Sequence, residues 1–456
     1  MTSHSASRRA AGALALALAC GPLAAERLAD HVVLVSVDGL RPEFYRDESW
    51  PAPMMQQMRR QGVHAERVRG VFPSVTYPSH TTILTGALPA RHGVFYNSPF
   101  EPGGVTGRWY WESAGIRVPT LWDAVRQAGL TAANVGWPVS VGAPVDWNLP
   151  EVWSIEPGVG TIERMRELSR PAGLWEELER EASGRLTSRN FLIDHLTRDD
   201  RAGDLAAYLL ETYRPAFTTV HLIEADEFQH ETGRSGDLVR RAVAAADRAI
   251  SQMVEAAARA GILERTAFLV AGDHGHVERQ IEIRPNVWLV EAGLMAAVPD
   301  RGAWRATFHT SGAAAFLHLA DPGDQAAAAA ARAVVEARPR GERKLFQLLD
   351  RAALDRLAAA PEAAFALVAN PGADFQAAPE GPALRPASGA THGHLFEFPE
   401  IYTGFVGWGA GLRAGRGVHE IGLEDLAPLV ARLLDLELEA PDGVVPLGLL
   451  ADDPAF

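Results

Sequence analysis

Seven residues of this chain have side chains that bind divalent metal ions or attack phosphorus, and each lies where a predicted strand gives way to a loop. They are three carboxylates, three imidazoles and one hydroxyl: Asp38, Thr76, Asp226, His230, Asp273, His274 and His392. Carboxylate and imidazole groups together suit zinc, although manganese or cobalt can bind to the same donors. The sequence therefore predicts a divalent metal site beside a hydroxyl nucleophile.

The first of these carboxylates follows a markedly apolar run. Residues 32–37 read VVLVSV, a composition typical of a strand buried in a parallel sheet. Asp38 and Gly39 end the run abruptly. Because open α/β sheets bind their ligands at the carboxyl edge of the strands, we expect Asp38 at that edge.

The hydroxyl lies in the segment FPSVTYPSH at 72–80, which follows a predicted strand and precedes a predicted helix at Thr81–Thr85. A threonine in this position could simply cap the helix. The same geometry directs backbone N–H groups and the positive end of the helix dipole at a phosphate. A single motif of this kind is weak evidence. Four motifs with candidate ligands or a nucleophile, all at strand ends, together favour a metal-dependent catalytic site.

Apolar runs and helical patterns alternate along the chain and predict the elements that position these residues. Strands are predicted at 32–37, 66–72, 131–137, 216–222, 266–271 and 401–408, and helices at 121–128, 203–213 and 237–259. The alternation predicts an α/β fold with a mostly parallel central sheet and helices on both faces.

The segment 301–389 differs from the rest because it contains no ligand candidate. It has predicted helices at 325–336 and 344–358 and a predicted strand at 364–368. We therefore expect a small inserted α/β subdomain at 301–389, and a catalytic domain made of 26–300 and 390–456.

The N-terminus has the pattern of an export signal at 1–25. Arg8 and Arg9 precede an apolar stretch, and the small residues Ala24–Ala25 suit cleavage. A periplasmic or extracellular location is favoured, and a lipoprotein anchored at Cys20 is the alternative. Because Cys20 is the only cysteine, the mature chain would bind metal through histidine and carboxylate alone.

The composition excludes one class of partner. The net charge is −14 at pH 7, whereas a protein that binds nucleic acid without sequence preference needs a basic surface to displace counterions. We therefore do not expect such a binder. The expected partner is a small phosphodiester or nucleotide substrate, with no sequence-specific nucleic acid and with a membrane only if Cys20 is lipidated.

Seven segments resemble, in content and order, the nucleotide pyrophosphatase/phosphodiesterase family of the alkaline phosphatase superfamily. They are Val37–Arg41, Thr76–His80, His92–Asn97, Trp137–Pro138, Asp226–His230, Asp273–Gly275 and His392–Gly393. The resemblance implies an alkaline phosphatase-like fold, two Zn²⁺ per chain, and hydrolysis of phosphodiester or pyrophosphate bonds.

The same resemblance implies a role for each site residue. The two zinc-ligand sets would be Asp226, His230 and His392 for one ion, and Asp38, Asp273, His274 and the Thr76 oxygen for the other. Asn97, together with the Thr76 N–H, would hold a non-bridging phosphoryl oxygen.

The expected mechanism follows from these roles. Zinc at the Thr76 oxygen would lower its pKa, so that an alkoxide forms near neutral pH without a general base. The other zinc would stabilise the leaving oxygen, and then lower the pKa of the water that hydrolyses a phosphothreonine intermediate.

The chain departs from the family pattern at two histidines. Family members often have an apolar residue after Asp-His-Gly and a tyrosine after His-Gly, where this chain has His276 and His394. These histidines could support the metal ligands, donate protons, or be exposed polar residues at a pocket rim. We interpret His80 and His92 as structural.

Three aromatic residues are candidates for the wall of the substrate pocket. Tyr77 and Trp137 are the predicted substrate-binding residues, and Phe95 could complete the wall. The leaving group stays open among a nucleotide, a dinucleotide, a choline-bearing lipid or another diester.

Three alternatives to a phosphodiesterase stay open. A phosphomonoesterase of the superfamily would use the same ligands, but it adds a lysine-arginine pair, and Lys344 is the only lysine here. A phosphonate hydrolase would also fit the metal site and Thr76. An exported zinc-binding protein with a vestigial site would need neither Thr76 nor Asn97.

Overall fold

A computed structural model describes residues 1–2, 27–192, 195–297 and 303–453. Nearly all of the export signal predicted at 1–25, including Cys20, falls in the segment 3–26, outside the described residues, so the signal and the lipid anchor at Cys20 stay predictions. Among the helices of the described ranges, none is both long and apolar enough to cross a membrane.

The strands of the described chain are short, most of them four to seven residues long. They are β1 (His31–Val37), β2 (Val63–Arg69), β3 (Ala132–Val135), β4 (Trp147–Leu149), β5 (Phe217–Leu222), β6 (Thr266–Ala271), β7 (Val277–Ile283), β8 (Ala306–Ser311), β9 (Ala314–Leu319), β10 (Phe346–Leu349), β11 (Phe365–Ala369), β12 (Gly372–Phe375), β13 (Leu384–Pro386), β14 (Ala390–Thr391), β15 (Thr403–Gly409) and β16 (Arg416–Gly422).

The α-helices range from single turns to one of 23 residues. They are α1 (Glu43–Arg46), α2 (Pro53–Gln61), α3 (Thr76–Thr85), α4 (Pro89–His92), α5 (Leu121–Gln127), α6 (Thr161–Leu168), α7 (Leu174–Leu178), α8 (Arg198–Tyr213), α9 (Glu224–Thr232), α10 (Asp237–Arg259), α11 (Pro285–Glu291), α12 (Gln325–Glu336), α13 (Arg340–Arg343), α14 (Arg351–Arg356) and α15 (Leu426–Leu434).

The central sheet has eight strands in the order β16-β2-β15-β6-β1-β5-β3-β4. Its neighbours pair in parallel except at β15, which runs antiparallel to β2 and β6. Successive side chains of a strand point to opposite faces. Val33 and Val35 accordingly pack with α8 and α10, while Val32 and Leu34 pack with α15. The predicted α/β fold, with a mostly parallel sheet between helices, is confirmed.

Four predicted elements differ from the structure by three or more residues or in type. The helix expected at 203–213 is α8, which begins five residues earlier, at Arg198. The strand expected at 66–72 is β2, which pairs with β15 and β16 only as far as Arg69. The helix expected at Thr81–Thr85 begins five residues earlier, at Thr76, because Val75 is extended and Pro78 lies in the first turn, where its missing N–H costs nothing. The helix expected at 344–358 is divided into β10 and α14.

The division between β10 and α14 has a local cause. The Asp350 side chain accepts a hydrogen bond from the Ala353 N–H and caps the start of α14, whereas β10 gains its hydrogen bonds by pairing with β11. The periodicity of the side chains in the sequence did not show that the first part of this segment pairs with β11 and only the second part forms a helix.

Two smaller sheets adjoin the central one. One is antiparallel, in the order β10-β11-β9-β8, and packs against α12, the helix predicted at 325–336. In the other, β7 lies between β12 and β13 and also pairs with β14. The division into a catalytic domain and an inserted subdomain at 301–389 stays a prediction.

A buried polar network fixes the turn between β5 and α9. The Asp199 carboxylate accepts hydrogen bonds from the N–H groups of Ile223 (2.9 Å) and Glu224 (3.2 Å). Glu224 Oε1 in turn accepts from the Asp199 N–H at 2.9 Å. Burial, and to a smaller extent the negative charge of Asp199, raises the pKa of Glu224 to about 9. The network therefore holds the start of the helix that carries Asp226.

We expect Asp199→Ala to lower the free energy of unfolding by about 3 kcal/mol, because two buried N–H groups lose their acceptor at about 1–3 kcal/mol each. Asp200→Ala is the matched control. The Asp200 carboxylate pairs with Arg248 at the surface, so its loss should cost less than about 1 kcal/mol. Denaturant unfolding followed by circular dichroism measures both, and equal losses would contradict the role given to Asp199.

Candidate metal and phosphoryl-transfer site

The predicted ligands converge because the strands that lead to them are neighbours. β1 lies between β6 and β5 and pairs in parallel with both, so the carboxyl ends of the three strands meet at one edge of the sheet. Asp38 follows β1, Asp273 and His274 follow β6, and Asp226 and His230 lie on α9 after β5.

The remaining predicted ligand, His392, comes from a distant part of the chain. It follows β14 and is held against the loop that leads into α3. His392 Nδ1 lies 3.0 Å from Ser74 O, while the Ser74 hydroxyl donates to His394 O (2.9 Å) and accepts from the Gly393 N–H (3.1 Å). These bonds tie the loop of the predicted nucleophile to a metal-ligand candidate.

Asp226, His230, His276 and His392 form a first cluster, in which the potential ligand atoms all lie within 4.8 Å of one another. Asp226 Oδ1 is 3.4 Å from His230 Nε2 and 3.6 Å from His392 Nε2. The two Nε2 atoms are 3.1 Å apart. Three of the four residues are the set expected for one zinc, and His276 is an addition.

The first cluster fits a cation because two of its imidazoles turn lone pairs toward each other. His230 Nδ1 lies 2.9 Å from Ala390 O, and His392 Nδ1 lies 3.0 Å from Ser74 O. A carbonyl oxygen only accepts hydrogen bonds, so each neutral ring carries its proton on Nδ1. The facing Nε2 lone pairs repel each other unless a positive ion binds them. Burial lowers the pKa of His392 to about 3, which keeps that ring neutral.

Asp38, Asp273 and His274 form a second cluster with the same 4.8 Å limit. His274 Nε2 lies 3.4 Å from Asp38 Oδ1 and 3.1 Å from Asp273 Oδ2. Over the described ranges, neither of these two carboxylate oxygens has a hydrogen-bond partner. Burial, and then the charge of Asp273, raises the pKa of Asp38 well above its usual range, and burial raises the pKa of Asp273 to about 7. A divalent cation would supply the missing countercharge.

The two clusters are in contact. The rings of His274 and His392 stack with their centroids 3.6 Å apart and an interplanar angle of 10°. Ions bound to both clusters would be close neighbours, as in two-metal phosphoryl-transfer sites, where the metals are about 3.5–4 Å apart.

Thr76 is the first residue of α3, a helix of ten residues. Asn97 Oδ1 accepts a hydrogen bond from the Tyr77 N–H at 2.9 Å, which fixes the Asn97 amide and leaves its Nδ2 as a donor. His80 Nδ1 lies 2.8 Å from Thr76 O and 3.6 Å from Asp273 Oδ2. The hydroxyl, an amide donor and a helix N-terminus therefore share one region with the second cluster.

His221 and Glu151 are site residues that the sequence analysis missed. His221 Nε2 lies 3.1 Å from Asp38 Oδ2, and its Nδ1 lies 2.8 Å from Glu151 Oε2. The ring therefore holds one oxygen of Asp38 while the other faces His274. The available signal was a histidine near the end of the buried strand 216–222, but nothing in the sequence paired it with Asp38 or Glu151.

A cavity of about 260 Å³ opens beside the first cluster. Asn97, Trp109, His230, Arg279 and His392 are among the residues that line it. A larger cavity of about 780 Å³ is lined by none of the predicted ligands. Of these two cavities, the smaller is the one that adjoins the candidate site.

The two residues predicted to bind substrate are both buried, and their role stays a prediction. Trp137 is fully buried and packs edge-on against His80, with ring centroids 4.8 Å apart. Tyr77 is also fully buried and meets Trp109 edge-on at 5.2 Å. Neither residue lines the cavity, and Trp109 does so instead. The aromatic lining of the cavity therefore comes from Trp109, which lies outside the recognised motifs, and from Tyr96, which lies within the His92–Asn97 motif.

The remaining histidines of the motifs are all buried. The suggestion that His276 and His394 are exposed at a pocket rim is wrong, because both side chains are fully buried. Burial lowers the pKa of each to about 4. His92 accepts from the Val94 N–H at 3.1 Å, and its Nε2 lies 3.1 Å from Thr82 Oγ1, which agrees with the structural role predicted for His92.

Residues 32–393 match the sequence model of the type I phosphodiesterase/nucleotide pyrophosphatase family. Ectonucleotide pyrophosphatase/phosphodiesterase family member 3 of Rattus norvegicus is 25% identical over 254 residues, which cover 54% of this chain and 24% of the relative. A venom phosphodiesterase of Naja atra is 22% identical over 252 residues, which cover 54% and 26%. The matched region thus spans about a quarter of the length of these relatives.

Solved structures share the fold across most of the chain. Human ectonucleotide pyrophosphatase/phosphodiesterase 5 superimposes with a TM-score of 0.65 at 17% identity, covering 90% of this chain and 96% of its own. The murine protein, as an inactive threonine-to-alanine variant in complex with AMP, gives a TM-score of 0.64 at 17% identity over the same shares.

Proposed function

This chain belongs to the type I phosphodiesterase/nucleotide pyrophosphatase family, and we propose that it hydrolyses phosphodiester or pyrophosphate bonds of nucleotide-type substrates. The observation that carries the proposal is the position of Thr76 at the start of α3, linked through His80 to the second cluster. Ser74, two residues before Thr76, is linked to His392 of the first cluster.

We assign a divalent metal ion, zinc in the first instance, to each cluster. Asp226, His230 and His392 would hold one ion, and Asp38, Asp273, His274 and the Thr76 oxygen the other. Bound there, the ions would supply Lewis-acid stabilisation of the attacking and leaving oxygens.

Thr76 and Asn97 have different roles in the two steps of the reaction. Thr76 Oγ1 loses its proton and attacks phosphorus, the bond to the leaving oxygen breaks, and that oxygen takes up a proton. Water then attacks the phosphorus of the phosphothreonine. The bond between phosphorus and Thr76 Oγ1 breaks, and Thr76 Oγ1 takes up a proton. Asn97 Nδ2 and the N-terminus of α3 hold a non-bridging oxygen in both steps. The inactive threonine-to-alanine variant of the murine protein, solved with AMP, supports both the threonine and a nucleotide-type substrate.

The charges around the cavity favour a diester over a monoester. A monoester dianion carries one more negative charge and needs an additional positive group. Arg279 lines the cavity, but its guanidinium lies 2.7 Å from Asp374 Oδ2 and is already paired. Lys344 lies between α13 and β10, far along the chain from every predicted ligand. The second substituent of a diester is neutral and can pack against Trp109.

We therefore expect a higher kcat/KM for bis-p-nitrophenyl phosphate and for a nucleotide p-nitrophenyl ester than for p-nitrophenyl phosphate, by about 10-fold or more, which corresponds to about 1.4 kcal/mol in the transition state. Release of p-nitrophenol measures all three at one zinc concentration. A preference for the monoester would overturn the proposal and would require an unpaired cation in the cavity. Cleavage of phosphonoacetate ahead of every diester would favour the phosphonate hydrolase instead.

A further inference from the structure

Glu151 is a buried carboxylate to which neither the family resemblance nor the proposed reaction gives a role. It follows β4, and its backbone N–H donates to Ser140 Oγ at 3.3 Å. Its side-chain Oε2 lies 2.8 Å from His221 Nδ1. Because a buried carboxylate is costly unless it is hydrogen-bonded or paired, this contact helps to keep Glu151 in the core.

The His221 ring is hydrogen-bonded at both of its nitrogens. Nδ1 lies 2.8 Å from Glu151 Oε2 and 3.2 Å from Gly136 O. A carbonyl oxygen and an ionised carboxylate only accept hydrogen bonds, so Nδ1 carries a proton and donates to them. At the other end of the ring, Nε2 lies 3.1 Å from Asp38 Oδ2. The ring therefore bridges the carboxylates of Glu151 and Asp38.

The fold fixes where this ring lies. β1 and β5 pair in parallel with Ser36 opposite His221, which brings the ring beside the end of β1, where Asp38 follows. The ring also packs edge-on against His80, with centroids 4.4 Å apart. His80 Nδ1 is 2.8 Å from Thr76 O. The bridge between the two carboxylates therefore also borders the first turn of α3.

The two oxygens of Asp38 have different surroundings. Oδ2 is hydrogen-bonded to His221. Oδ1 lies 3.4 Å from His274 Nε2 and, in the part of the chain that the structure describes, has no hydrogen-bond partner although it is buried. A buried oxygen in this state is stabilised by a cation. The hydrogen bond to Oδ2 thus leaves Oδ1 as the atom that faces the ion of the second cluster.

We propose that Glu151 is a positioning residue of the second cluster, which orients the His221 ring so that the ring in turn directs Asp38 Oδ1 toward the metal ion. The inference rests on the proposed metal-dependent function. Groups that support metal ligands in this way typically change metal affinity or activity by about 10–100-fold when they are removed.

Four substitutions test the proposal. Glu151→Leu removes the acceptor and keeps a side chain of similar size, whereas Glu151→Gln keeps a neutral acceptor for the Nδ1–H. His221→Gln can direct an amide N–H toward Asp38 but has no donor at the position of Nδ1, so it disconnects Asp38 from Glu151. Glu424→Leu is the matched control, because Glu424 is a buried glutamate that pairs with Arg69 and belongs to neither cluster.

Circular dichroism establishes that each variant is folded, and competition with a chromophoric chelator then gives the zinc dissociation constants without any substrate. We expect Glu151→Leu to weaken the binding of one zinc by about 10–100-fold and to leave the other unchanged. Glu151→Gln should lose less, because its amide oxygen still accepts, although a hydrogen bond to an ionised group is about twice as strong. Glu424→Leu should bind both ions like the wild type.

The absorption bands of Co²⁺ bound in place of zinc give a second reading. They should change in Glu151→Leu and not in Glu424→Leu, because only the former alters the direction of a ligand oxygen. The combination of Glu151→Leu with His221→Gln then tests whether Glu151 acts through the ring. In the His221→Gln background, Glu151→Leu should cause a further loss of about 3-fold or less in zinc affinity, since the connection is already broken.

Unchanged zinc affinity and Co²⁺ bands in folded Glu151→Leu would overturn the positioning role. A loss of the same size with and without His221→Gln would show that Glu151 does not act through the ring. An equal loss of zinc affinity in Glu424→Leu would trace the effect to a general loss of stability. If the wild type itself binds no zinc, the proposed function fails, an outcome distinct from these three.

Discussion

The Thr76→Ala variant is expected to lose at least about 10³-fold in kcat while it keeps its fold and at least one bound zinc. The reason is that the predicted nucleophile disappears, and water would have to attack phosphorus without the position that the first turn of α3 gives to the threonine oxygen. The predicted metal ligands Asp226, His230 and His392 do not include this hydroxyl. Steady-state kinetics with a nucleotide p-nitrophenyl ester, together with zinc analysis of the same preparation, measures both properties.

Two further variants make this result specific. Thr76→Ser keeps a primary hydroxyl and should retain measurable turnover. Thr81→Ala removes another buried hydroxyl of α3, one that donates to Tyr77 O at 2.8 Å, and should cost about 1 kcal/mol of stability with little change in kcat. Rates like those of the wild type in Thr76→Ala would show that hydrolysis does not pass through a phosphothreonine.

Removal of the metal ions is expected to abolish turnover, and we expect about two zinc ions per chain in the active protein at neutral pH. Apart from the partly exposed His230, both clusters consist largely of buried groups whose charges and lone pairs face one another, and ions bound there would polarise the substrate. The ligand histidines must be neutral to bind metal, and acidification protonates them in competition with the ion. Metal content and activity should therefore fall together as the pH is lowered.

Elemental analysis during dialysis against a chelator, with activity measured on each sample, tests this expectation. Readdition of zinc should restore turnover, and manganese or cobalt can be compared under the same conditions. Full activity in protein that contains no transition metal would end the metal-dependent proposal, whatever the substrate.

The sequence by itself predicted the features that depend on local pattern. Parallel strands are buried on both faces, so the run at 32–37 and the run at 266–271 appear as continuous apolar stretches, and both strands occur where they were expected. A side chain placed directly after such a run must lie at the edge of the sheet, which is why the positions of Asp38, Asp273 and His274 at that edge could be predicted without a structure. The amphipathic pattern of α10 fixed both of its ends for the same local reason.

Only the tertiary structure decided which residues support those ligands. His221 meets Asp38 from β5 and is itself contacted by Glu151, which follows β4. His276 lies beside His392 because β7 pairs with β14, and 2.9 Å from Asp226 on α9. Trp137 lies in the core and Trp109 in the cavity wall, although only the former belongs to a motif. These contacts join residues that are 50 to more than 100 positions apart, and their energies depend on burial and direction. A motif fixes a side chain's place along a strand, but packing of the folded chain determines what that side chain touches.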